Sequence, residues 1–214
     1  MRLIFLGAIV LASVSMAEAQ VYSAAPKDCV KPKCIAPIAS GDGFGVTYPK
    51  ELRALGVQGT TVLSFTVGAD GVVSDLVVDS PSRSETLDRN LVDAVSAHMF
   101  QPGKIDGRPV AMRKELSVDF RKDDLSNLRL KTCADLTVDI AYFQKTFPEL
   151  PIEQMWVSKL SQSLLNFGGN AMSADAKTFV EQVKRTKAAF GATAAWCASN
   201  PDALYLARFK QEAS

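Results

Sequence analysis

A single histidine, His98, four cysteines and the adjacent carboxylates Asp123-Asp124 are the residues of this chain whose types most readily do chemistry. One imidazole with no nucleophile at a recognisable spacing does not make a relay, and neither a G-x-S-x-G elbow nor a Ser-x-x-Lys motif occurs. His98 reads instead as a packing or helix-capping residue near a helix C-terminus. The cysteines Cys29, Cys34, Cys133 and Cys197 lack the paired C-x-x-C spacing of a zinc site. In an oxidising compartment an even count suggests two disulfides, for which three pairings exist. Proximity favours Cys29–Cys34, which leaves Cys133–Cys197. Asp123-Asp124 reads as a solvated linker, Lys184-Arg185-x-Lys187 as an exposed helix face, and Trp156 and Trp196 as core or interface anchors. The expectation is a protein that is not an enzyme, with no metal and no cofactor.

Composition narrows the classes further. The 214 residues are 47% apolar and 22% charged, which excludes wholesale disorder and a multi-span membrane protein. Lys and Arg number 24 against 23 Asp and Glu, so no electrostatic case exists for nucleic acid or for an anionic membrane surface. The first segment carries Arg2, an apolar run from Leu3 to Met16, and then Ala17-Glu18-Ala19 before Gln20. This order predicts a secretory leader, residues 1–19, cleaved after Ala19, and an exported mature chain. Membrane contact is expected only if that leader stays attached as an anchor.

The elements needed to position these residues follow from periodicity. Residues 20–43 hold Pro26, Pro32, Pro37, Gly41 and Gly43 without an apolar period, and predict an extended lead-in, cross-linked once. Residues 44–122 predict a small α+β domain. A strand runs through Thr61, Leu63, Phe65 and Val67, Asp70-Gly71 turns, and Val72, Leu76 and Val78 return. Ser82 and Glu85 have capping-box spacing and open a helix with Leu87, Leu91, Ala94, Val95 and Met99 on one stripe. Phe100-Gln101-Pro102-Gly103 stops it, and Val110, Met112, Leu116, Val118 and Phe120 mark a last strand. From about Asp123 the period changes to 3.6, so residues 123–214 predict a helical domain, stapled by Cys133–Cys197 and able to unfold by itself. Its stripes are Leu136, Ile140, Phe143 and Phe147, then Ile152, Trp156, Leu160 and Leu164, ended by Gly168-Gly169. A third helix is expected to be capped by Ser173 with Ala176, Phe179, Val180 and Val183 inward. Asn200-Pro201-Asp202 is the expected start of a terminal helix with Leu204 and Phe209.

Residues 47–121 resemble the TonB C-terminal domain family. The resemblance rests on Tyr48-Pro49, Gly56-Val57-Gln58-Gly59, Phe65-Thr66-Val67, Asp70-Gly71-Val72-Val73, Leu87-Asp88, Phe100-x-Pro102-Gly103 and Gly107-x-Pro109-Val110, in that order. It implies a small antiparallel sheet with two helices, and a protein or peptide partner such as an outer-membrane receptor. In the family an extended peptide, the TonB box, adds as a strand beside the last strand, here roughly Val110–Phe120. The implied peptide-binding residues are Thr47, in the Phe44–Thr47 lead-in, with Val110, Ala111, Arg113, Glu115, Ser117 and Asp119. An attached anchor would imply energy transduction for outer-membrane transport instead. Thr132-Cys133-Ala134-Asp135-Leu136 and Cys197-Ala198-Ser199-Asn200-Pro201 are similar to HdeA-type periplasmic acid-stress chaperones, which implies a chaperone role as a further alternative.

Overall fold

A computed structural model describes residues 20–24, 29, 33–41, 45–167 and 175–214. The expected leader, Phe44, Gly168-Gly169 and Ser173 lie outside the described residues. The fold is α+β. Its strands are β1 (Gln20–Ala24), β2 (Cys34–Ile35), β3 (Ile38–Ala39), β4 (Gly59–Val67), β5 (Val73–Ser80), β6 (Phe100–Gln101), β7 (Gly103–Ile105), β8 (Arg108–Val110) and β9 (Met112–Phe120). Its helices are α1 (Lys50–Arg53), α2 (Glu85–Ser96), α3 (Cys133–Thr146), α4 (Trp156–Phe167), α5 (Ala176–Cys197) and α6 (Tyr205–Ala213).

The main sheet is antiparallel in the order β1-β9-β4-β5. Alternation decides its inner face: Leu63, Phe65 and Val67 of β4, with Leu116, Val118 and Phe120 of β9, are fully buried. Leu87, Leu91 and Val95 of α2 cover them at helical spacing. The α2 stripe ends there, since the helix stops at Ser96 and Met99 is half exposed. Ser84, rather than Ser82, is the N-cap, and the expected capping box is not made. The physical reason is competition: buried Ser82 exchanges hydrogen bonds with Ser84, and Asp88 accepts from the Ser82 amide at 2.9 Å and the Thr61 hydroxyl at 2.6 Å.

The Asp70-Gly71 turn forms as expected, with Gly71 at φ 85°. A Cβ on Gly71 would sit 2.2 Å from the Phe100 carbonyl oxygen, while the Phe100 amide donates to the Gly71 carbonyl at 2.9 Å. Glycine is therefore required twice, for backbone sign and for closeness. The lead-in wraps onto the same unit. β2 pairs with β7, β7 with β8, and β3 with β6, while the Lys114 ammonium donates to the Pro37 carbonyl at 2.8 Å.

A second core holds Leu136, Val157, Leu160, Phe190, Tyr205 and Phe209 around the Cys133–Cys197 disulfide. Thr132 and Asp135 make a capping box at the start of α3. Burial in α5 concentrates in its C-terminal half, at Thr186, Ala189, Phe190, Thr193 and Cys197, so the expected inward set is displaced: Val180 is half exposed. The terminal helix begins at Tyr205, later than expected, because residues 201–203 form a turn whose carbonyls at Pro201 and Ala203 accept the Ala134 and Cys133 amides. That turn satisfies the orphan donors at the start of α3.

Candidate functional site: the β9 edge

The strand implied by the resemblance exists as β9, and its alternation sorts the candidate residues. Met112, Lys114, Leu116, Val118 and Phe120 point inward, and Arg113, Glu115, Ser117 and Asp119 share the other face. On that face Arg113 donates to the Ser64 hydroxyl at 2.5 Å, and the Asp119 carboxylate accepts from the Thr60 hydroxyl at 2.5 Å and pairs with Arg121. Glu115 is exposed and Ser117 half-buried. Val110 and Ala111 do not join this row, since Val110 ends β8 opposite Gly103 and Ala111 links β8 to β9. Thr47 is exposed just before Tyr48, whose hydroxyl donates to the Val57 carbonyl at 2.5 Å.

The main chain of β9 has two neighbours. β4 pairs with all nine of its residues, from Gly59 opposite Phe120 to Val67 opposite Met112. On the other side lies the chain's own β1, antiparallel, with Gln20 opposite Asp119, Tyr22 opposite Ser117 and Ala24 opposite Glu115. The edge expected to receive a peptide therefore carries a segment of the same chain. The sequence offers little signal for this, because Gln20–Ala24 is five residues long and carries no sustained alternation.

A buried ionic cluster lies where β9 hands over to the helices. Lys122 donates to Asp139 at 2.5 Å, and Lys131 donates to Asp139 at 2.5 Å and to Asp123 at 2.9 and 3.1 Å. All four residues are less than 10% exposed, which corrects the expectation that Asp123 sits in a solvated linker. Desolvation disfavours the Lys131 ammonium, but Asp123 and Asp139 outweigh it and hold its pKa above the ordinary 10.5. Trp156 closes the cluster: its indole donates to the Asp123 carbonyl at 2.7 Å, and the Arg121 guanidinium lies 3.5 Å over its ring. Asp139 was legible in principle, since it falls within the Leu136, Ile140, Phe143 stripe, where a carboxylate needs a buried partner.

Beside this cluster a cleft of about 450 Å³ separates the sheet end from α3 and α4, lined by Arg83, Arg121, Tyr142, Phe147, Trp156 and Lys159. Arg83 pairs there with Glu149 and lies over the Phe147 ring. His98 packs edge-on against Phe100 at 5.1 Å. Among the described residues no cluster of His, Cys, Asp and Glu is arranged to hold a metal, and no helix is long and apolar enough to cross a membrane.

The unit is a helix-backed antiparallel sheet whose long last strand, β9, lies between β4 and the chain's own β1. Residues 45–121 match the family model of the Gram-negative bacterial TonB protein C-terminal. Over 73 residues, 34% of this chain and 33% of the relative, the sequence is 34% identical to "Protein TonB" of Xanthomonas campestris pv. campestris strain B100. Over 74 residues, 35% of this chain and 30% of the relative, it is 31% identical to "Protein TonB" of Vibrio cholerae serotype O1. The matched stretch thus spans about a third of the length of these curated relatives. Residues 122–214 lie outside the matched family segment.

Proposed function

We propose that this chain is a non-catalytic protein-interaction module of the cell envelope, which binds extended peptide segments by adding them as a strand to its TonB-like sheet along β9. The leader expected at residues 1–19 supports export to the periplasm, and an outer-membrane receptor is the partner class that the family suggests. The observation that carries the reading is the seating of Gln20–Ala24: an extended backbone fits antiparallel against Glu115–Asp119. In this mode main-chain bonds supply affinity and the exposed side chains tune choice, so Arg113, Glu115 and Ser117 are specificity positions.

The test is titration with extended peptides copied from outer-membrane receptors, followed by amide hydrogen exchange. Binding with altered exchange at residues 112–120 and 20–24 is the expected result. A footprint on the helical region, or no binding by any receptor-derived peptide, rejects the edge as the site.

A further inference from the structure

The strand that covers the β9 edge is the first segment after the expected cleavage site. We propose that Gln20–Ala24 is a built-in competitor for this edge, an intramolecular ligand that an incoming partner strand must displace. The proposal rests on the edge-strand reading above and adds to it a gate and a condition on the partner.

Two structural features and the expected cleavage make β1 suited to exchange. First, among the described residues its only sheet neighbour is β9, so release leaves the β9-β4-β5 pairing intact. Second, its ladder is short: β1 pairs with the five residues Glu115–Asp119, whereas β4 pairs with all nine residues of β9. Third, with the leader removed after Ala19, Gln20 is the first residue, and a strand with a free end frays without disturbing chain on that side.

The connection between β1 and the rest of its unit is short in sequence. Four residues, 25–28, separate Ala24 from Cys29, and Cys29 is disulfide-bonded to Cys34. Cys34 in turn pairs with Ile105 of β7, so the near end of β1 is anchored to the same unit as its target. A short tether of this kind gives an effective concentration on the order of millimolar. A free peptide offering only the same five backbone pairs cannot match that at micromolar concentration. The partner must therefore be an extended segment that forms a longer ladder with β9 than β1 does, without proline at positions whose amides face β9.

The experiment uses the full mature chain and the variants Val21→Pro and Tyr22→Pro. Neighbouring amides in a strand point to opposite sides, so one of the two substitutions deletes a bond to β9 and the other serves as its internal comparison. Retention of the wild-type circular dichroism spectrum reports that the core is unaffected. Two quantities are read: amide exchange of Glu115–Asp119, and affinity for a synthetic peptide with the sequence of residues 20–24. If β1 is seated nine-tenths of the time, its release raises the apparent affinity about tenfold.

Faster exchange together with tighter peptide binding in at least one variant supports the gate. Unchanged exchange and unchanged affinity overturn it, and a peptide footprint on β9 in that case leaves the edge-strand reading standing. Faster exchange without any gain in affinity, for this peptide or for receptor-derived ones, overturns both, because β1 would then be cover for an edge that accepts no other strand.

Discussion

At Gly56 the backbone of the sheet unit lies close against α3. Its φ is +68°, and a Cβ there would lie 2.9 Å from an Asp139 carboxylate oxygen and 3.0 Å from the Asp139 Cα. Gly107 has a similar φ, +79°, but open space around it. The pair separates strain from collision. Gly107→Ala should cost about 1–2 kcal/mol, the left-handed backbone penalty alone. Gly56→Ala should cost more, because it also pushes Asp139 off its two lysines. Urea unfolding of both variants checks this, and equal losses would mean that α3 yields freely at Gly56. The glycine is visible in the sequence as part of the Gly56-Val57-Gln58-Gly59 string that carries the family resemblance. Its approach to Asp139 is not, since residues 56 and 139 are far apart in the chain and no local pattern links them. Lys114 was hidden in a different way: it takes an inward position of β9, where alternation calls for an apolar residue, and the Pro37 carbonyl makes that tolerable. Burial there pushes its ammonium pKa down.

At the scale of elements, β4, α2 and β9 follow from period and turn chemistry, because the buried apolar residues of each fall on one face. On the expected return strand, by contrast, Val73 and Leu76 meet the core and Val72, Val77 and Val78 are exposed. Helix starts were less legible, since several polar side chains compete to cap them. Asp88 displaces the Ser82–Glu85 box at α2, whereas at α3 Thr132 accepts from the Asp135 amide and Asp135 accepts from the Thr132 amide. Partial burial works to raise the Asp135 pKa, but the hydrogen bonds from Thr132 outweigh it and hold the carboxyl below its usual 3.8. A depressed carboxylate contributes stability that is present above the unfolded value and lost as pH falls through the folded one. Thr132→Ala should therefore cost about 1 kcal/mol at neutral pH, as cap removal does. Asp135→Asn should lower stability at neutral pH and flatten the acid limb of a urea-midpoint titration. An acid limb identical to wild type would show that the cap does not titrate with folding.

The whole molecule joins its two cores through groups that cannot be left unpaired. The change of period near Asp123 suggests two parts able to unfold separately. In the structure, however, Asp139 of α3 receives Lys122 from the end of the sheet and Lys131 from the start of the helical part. Tyr142 of the same helix packs against the sheet core, and Arg121 stacks on Trp156. Unfolding either part alone would strand buried charge in the other, and removing one partner from such a cluster typically costs about 3–5 kcal/mol. Asp139→Asn should therefore destabilise the sheet as well as the helices, although Asp139 belongs to neither strand nor turn of the sheet unit. Two probes separate the parts: both tryptophans, Trp156 and Trp196, lie in the helical region, while amide exchange of Leu63–Val67 in β4 reports the sheet core. In wild type the two unfolding midpoints should coincide, and in Asp139→Asn both should fall together. A tryptophan transition that moves while β4 keeps its wild-type protection would instead establish the parts as independent domains, with the ionic cluster only a local feature of α3.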